Sequence, residues 1–128
     1  MTKEIVATDQ APAALGPYSQ GVKAAGLLFT AMQIPLDPAT GQMAGDDVAA
    51  QTARVLDNIK AILAAGGSSL DGVVKTIVYL SDMNDFPAMN AVYGRYFPDA
   101  PPARGAVEVA RLPKDALVAI EAIAVGGD

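Results

Sequence analysis

Cysteine, histidine and tryptophan are all absent from this chain of 128 residues. Without cysteine there is no disulfide, no thiolate metal ligand and no thiol nucleophile. Without histidine there is no imidazole metal site and no Ser-His or Cys-His catalysis. Any acid–base work at neutral pH therefore falls to carboxylates, tyrosine or lysine. Basic residues are scarce too: 9 Lys and Arg against 14 Asp and Glu leave a net charge of −5. They form no cluster, which argues against a nucleic-acid backbone as the main partner. No apolar run reaches the length of a membrane span. The opening MTKEIVATDQAPAAL has no apolar core of signal-peptide length and too many acids for a transit peptide. These features point to a soluble cytoplasmic protein with no membrane partner. Linkers, low-complexity tracts and internal repeats are missing as well, so residues 1–128 read as one domain that buries roughly two-thirds of the surface of its unfolded chain.

What is present reads as alternating strand and helix patterns. Ile5 to Ala7 is a short first strand, and 11–20, with Pro12, Gly16 and Pro17, is loop. Val22 to Ala25 and Leu27 to Ile34 are strand-like runs around Gly26, the pattern of a hairpin. After the turn formers of 35–45, Asp46 or Asp47 caps a helix in which Val48, Thr52, Val55, Leu56, Ile59, Ile62 and Leu63 recur at three and four. Gly66-Gly67 stops it. The β-branched run Val73 to Leu80 is a central strand. Asn84 or Asp85 opens a second helix through Phe97, with Phe86, Met89, Tyr93 and Phe97 on one stripe, and prolines 98, 101 and 102 end it. Gly105–Ala110 and Leu117–Val125 are closing strands. The order β-β-β-α-β-α-β-β predicts an α+β sandwich with two helices on one face of a mixed sheet.

Two strands carry more apolar surface than two helices can cover. In the last run Leu117, Ala119, Ile123 and Val125 share one face with Glu121, while Val118, Ile120, Ala122 and Ala124 line the other. A strand apolar on both faces is covered on both. With no element left over, self-association into a closed ring of identical subunits is the economical cover. Glu121 in such a strand needs a cation, hydrogen-bond donors or a watery pocket, because an unpaired buried carboxylate is costly. Two readings stand side by side. One is a structural ion pair, Arg104–Glu121 or Arg111–Glu121. The other is a pocket between neighbouring subunits in which Arg104 holds an anionic substrate and Glu121 handles water or protons.

Five stretches, APAALGPYSQG (11–21), QIPLDPATG (33–41), QTARVLDNIKAIL (51–63), VVKTIVYLSDMNDFPAMNAVYGRYF (73–97) and PPARGAVEVARLPKDALVAIEAIAV (101–125), carry a resemblance. Together they resemble the Rid, or YjgF, family of reactive-intermediate deaminases nearly end to end. The resemblance implies a chorismate-mutase-like α+β fold, a homotrimer with pockets at the subunit interfaces, and no cofactor or metal. It implies hydrolysis of enamines and imines such as 2-aminoacrylate to a 2-keto acid and ammonia, with small 2-imino or 2-keto acids as ligands. Arg104 matches the position that holds the substrate carboxylate, where arginine offers a bidentate fork and lysine does not. Glu121 matches the group that orients or deprotonates water. Tyr18 matches a pocket tyrosine, though by itself it also reads as an aromatic plug over the sheet. Asn90 matches a polar residue near the pocket and otherwise reads as an exposed helical amide.

The chain departs from the family pattern at the pocket. Where the deaminases commonly read T-S-G-Q, this chain has Thr30-Ala31-Met32-Gln33, and R-S-C-V-E becomes Arg104-Gly105-Ala106-Val107-Glu108. A hydroxyl, a thiol and an open glycine are replaced by Ala31, Ala106 and Met32. The thioether of Met32 narrows or fills the pocket. That keeps a second expectation open: a trimeric protein that binds small carboxylates, or a chaperone-like interaction protein, with little deaminase activity. Arg111 and Lys114 belong to the signature but read physically as turn and surface charges, and Asp82 and Asp85 as caps.

Overall fold

Six strands and two helices follow in the expected order. The computed structural model describes residues 2–126. The strands are β1 (Glu4–Val6), β2 (Gly21–Ala24), β3 (Leu27–Thr30), β4 (Val73–Leu80), β5 (Ala103–Glu108) and β6 (Val118–Val125). The helices are α1 (Val48–Ala65) and α2 (Phe86–Tyr96), with single 3₁₀ turns at Leu70–Gly72, Met83–Asp85 and Pro113–Asp115. The sheet runs β1-β2-β3-β6-β4-β5, antiparallel throughout except for the parallel pair β4–β5. A parallel pair needs a crossover, and α2 supplies it. The β2–β3 hairpin turns at Ala25 and Gly26, both with positive φ (53° and 77°), the mirror-image turn whose twist suits a two-residue hairpin.

The helix boundaries follow from local chemistry. The Asp47 carboxylate accepts from the Ala50 N–H at 2.8 Å and caps α1, and Gly66 closes it. Asp82 caps the 3₁₀ turn before α2, whereas Asp85 occupies the N-cap position of α2 without a side-chain hydrogen bond. Both helices pack on one face of the sheet. Val55, Leu56, Ile59, Ile62 and Leu63 of α1 interlock with Leu28, Val78, Leu80, Val118 and Ile120, all fully buried. Each such side chain contributes about 1.5–3 kcal/mol by leaving water.

Three amides that local patterns do not single out tie the loops to this core. Gln20 accepts from the Thr8 N–H and donates to the carbonyls of Thr8, Ala11 and Pro12. Gln51 accepts from the Leu117 N–H at 2.8 Å, and Asn58 donates to the Leu36 carbonyl at 3.0 Å. Among the described residues no buried side-chain polar atom lacks a partner.

Five of the six strands have bounds that differ from the sequence reading. β1 and β2 each lie one residue earlier, β3 ends at Thr30 rather than Ile34, β5 starts at Ala103 and stops at Glu108, and β6 begins at Val118. The early end of β3 has a structural cause. Gln33 bridges Ile120 while Thr30 Oγ1 accepts from the Ala122 N–H at 3.0 Å, so Ala31 and Met32 together stand opposite the single residue Glu121. This two-against-one arrangement interrupts the ladder.

The sheet face away from the helices is apolar and open. Register puts Ile5, Val22, Phe29 and Ile123 in one row across β1, β2, β3 and β6, and Val107 beside Tyr79. Ile5 is 55%, Phe29 39%, Val107 45% and Val125 45% exposed, so this chain alone leaves the second face uncovered. No helix is long and apolar enough to cross a membrane among the described residues.

Candidate functional site

Arg104 lies on β5 in register with Thr76 of β4, which is buried under α2. Its side chain therefore turns to the helix side, at the edge of the sheet. The guanidinium carbon sits 4.7 Å from the Tyr93 ring centroid and 5.2 Å from that of Phe86. Nη1 donates to Asn90 Oδ1 at 2.6 Å. Among the described residues the ion pairs are Lys23–Glu4 and Arg111–Asp115, so Arg104 has no carboxylate within ion-pair distance. The result is a half-buried, stacked cation with most of its donors unspent, a setting that favours an incoming anion. Tyr93 below it is held neutral: burial pushes its phenol up, opposed by its hydrogen bond with Thr76 and by the nearby Arg104 charge. Ala106, two residues along β5, faces the same way and packs on the core.

Glu121 points the other way. It pairs with Ile77 of β4, one residue out of phase with Thr76, and so stands on the open sheet face. The Tyr79 hydroxyl donates to Glu121 Oε1. Tyr79 is pushed above its ordinary value first by that hydrogen bond, then by burial and by the carboxylate's charge. Ala31 and Met32 flank Glu121 across β6. They also line a cleft of about 570 Å³ with Tyr18, Leu15, Pro113 and Lys114. Met32 is 37% exposed and stands at the cleft wall instead of in the core.

The anticipated residues thus fall into two groups. Arg104, Asn90 and Ala106 belong to the helix side of β5. Tyr18, Ala31, Met32 and Glu121 belong to the open side around β6. Arg104 and Glu121 are two strands apart, about 10 Å across the sheet, and on opposite faces. Neither structural ion pair expected from the sequence forms: Arg104 binds Asn90, and Arg111 binds Asp115 at 2.7 Å on the surface. That pairing, led by the hydrogen bond, holds Asp115 below the usual carboxylate range. Lys114, given a minor place by the sequence, lies on the cleft wall because its left-handed backbone (φ 55°) reverses the chain there. Tyr79 was missed altogether, since VVKTIVYL reads as core and carries no sign of a polar partner on another strand.

A mixed six-stranded sheet with two helices on one face and a split arginine–glutamate pair defines the class: an α+β protein of the YjgF/L-PSP fold. The family model described as Endoribonuclease L-PSP matches residues 8–126. The chain is 58% identical over 122 residues to the RutC family protein PH0854 of Pyrococcus horikoshii, covering 95% of this chain and 97% of that protein. It is 50% identical over 123 residues to a 2-iminobutanoate/2-iminopropanoate deaminase of Salmonella typhimurium, covering 94% of this chain and 95% of that one. The structure of Escherichia coli TdcF with bound serine superposes with a TM-score of 0.92 at 45% identity, covering 95% of this chain and 98% of that chain. The chain belongs to the Endoribonuclease L-PSP family, the group of Rid and RutC proteins, some of whose members are named as deaminases.

Proposed function

We propose that this protein hydrolyses short 2-imino acids, and the enamines that tautomerise to them, to 2-keto acids and ammonia. The observation that carries the reading is Arg104: a half-buried guanidinium stacked on two rings, steadied by Asn90, with no carboxylate among the described residues within ion-pair distance. Such a group suits a planar substrate carboxylate. Relatives named 2-iminobutanoate/2-iminopropanoate deaminase support the reaction class.

Hydrolysis needs a second group that activates water near the C=N carbon. Glu121 suits that role: its carboxylate accepts a proton as water adds oxygen to carbon, and returns it as the nitrogen leaves as ammonia. An imine is already electrophilic, so this sequence of steps requires no cofactor. Because Arg104 and Glu121 of one chain face opposite sides of the sheet, one small substrate meets both only where two copies of the chain adjoin. The open apolar face supports such an assembly, and a homotrimer closes it with a pocket at each interface. Each pocket then takes Arg104, Asn90 and Ala106 from one copy, and Tyr18, Ala31, Met32 and Glu121 from its neighbour.

The test is ammonia release from freshly generated 2-iminobutanoate and 2-iminopropanoate, followed for the parent and Glu121→Gln. The parent is expected to turn over. The variant is expected to lose about 10²–10⁴-fold in turnover while still binding the 2-keto acid. An active parent whose rate ignores the substitution removes Glu121 from the mechanism. One observation favours a second reading, a binding or chaperone-like protein with little turnover: Met32, which stands opposite Glu121 in the interrupted ladder, lines the cleft wall. A parent that binds 2-keto acids yet releases no ammonia from any imine supports that reading instead.

A further inference from the structure

We infer that Tyr79 is a positioning residue, whose phenol locks the carboxylate of Glu121 in one orientation at the site. The inference rests on the deaminase reading for its catalytic consequence but on geometry for the lock itself. Tyr79 pairs with Ala119 across β4 and β6, so Glu121 is its diagonal neighbour on the same face, within reach of a long aromatic side chain. The Tyr79 ring packs against Leu112, Ala116 and Ala119, which restricts where its hydroxyl can point. That hydroxyl donates to Oε1 and leaves Oε2 outside this bond.

Tyr79 and Lys75 are the ionisable residues that β4 places on this face. Lys75 is exposed and makes no ion pair with Glu121. β3 and the 31–32 segment bring Phe29, Ala31 and Met32, β5 brings Gly105 to the same row, and Tyr18 and Lys114 share with Ala31 and Met32 the cleft that they line. Tyr79 is therefore the group whose removal alters Glu121 most directly. Losing the donated hydrogen bond frees the side chain to rotate, and a misaimed base costs turnover more than binding.

The experiment compares the full-length parent with Tyr79→Phe, which keeps the ring and its packing. Two readouts are taken. The first is the mobility of the Glu121 side chain by ¹³C NMR relaxation, which needs no activity. The second is imine turnover resolved into kcat and KM. The expected result is a Glu121 side chain that is ordered in the parent and mobile in the variant. Turnover should fall about 10- to 100-fold, the scale of one hydrogen bond to a charged group, with 2-keto acid affinity held. Unchanged mobility overturns the lock whatever the activity does. Increased mobility with unchanged kcat overturns the positioning role in catalysis. A parent that releases no ammonia defeats the deaminase reading and the catalytic half of this inference, while the relaxation measurement still decides the lock.

Discussion

The guanidinium of Arg104 lies 4.7 Å from the Tyr93 ring centroid and keeps one N–H on Asn90, so its plane is set before any ligand arrives. A lysine in its place would carry the charge but neither the plane nor the fork. Arg104→Lys is expected to weaken 2-keto acid binding by about 2–5 kcal/mol, the scale for breaking a desolvated charged pair. Calorimetric titration measures this, with far-UV circular dichroism verifying the fold, and near-parental affinity would make Arg104 structural. Met32 acts through volume and leaves the charges alone. If it narrows the cleft it shares with Tyr18 and Leu15, Met32→Gly should raise turnover of bulkier imines relative to the smallest one. A uniform change, or none, would place the side chain outside the substrate's path.

Between elements, the contact that joins α1 to α2 is sensitive to alkali. The Tyr96 hydroxyl donates to Asp57 Oδ1 at 2.9 Å and lies 3.2 Å from the Ala53 carbonyl. Burial first, then the Asp57 hydrogen bond, pushes its phenol up to about 12. A folded-state value above the unfolded one means the contact's contribution is complete below about pH 10 and is lost as pH rises toward about 12. Urea unfolding at intervals across that window should show the parent losing stability faster than Tyr96→Phe. Parallel curves would mean the hydroxyl contributes nothing to the helix–helix contact. The same scale shows how β-pairing carries the site. Ala31 and Met32 opposite Glu121 break the ladder between Thr30 and Gln33, and the break turns backbone and side chain toward the cleft.

At the scale of the molecule, the uncovered sheet face and the divided site make one joint prediction. Phe29 stands in the middle row of that face, 39% exposed, and makes no part of the helix-side core. Phe29→Asp should leave the chain folded but shift it toward a monomer near 13.1 kDa in sedimentation equilibrium. Because Arg104 and Glu121 of one chain cannot share a small ligand, 2-keto acid binding should fall with the assembly. A monomeric variant that still binds as the parent does would show that a single chain holds the whole site. A parent that is itself a stable monomer at micromolar concentration would remove the trimer.

The order of elements was legible in the sequence because it depends on local physics. Side-chain periods of two and 3.6, the Asp47 cap and the Gly66-Gly67 stop are read within a few residues of where they act. The same holds for the two-faced apolar pattern of Leu117–Val125, which calls for more cover than two helices supply. The family likeness also lay in the strings themselves, Arg104 and Glu121 included. What only the tertiary structure decided depends on register between distant segments. Alternation tells which residues of one strand share a face, but not which face of the next strand they meet. The order β6-β4-β5 and the pairings Thr76↔Arg104 and Ile77↔Glu121 send the arginine and the glutamate to opposite sides. Tyr79 found Glu121, and Gln51 found the Leu117 N–H, across 42 and 66 residues of chain. A hydrogen bond forms between groups that folding brings within reach, and that reach is a property of the packed sheet.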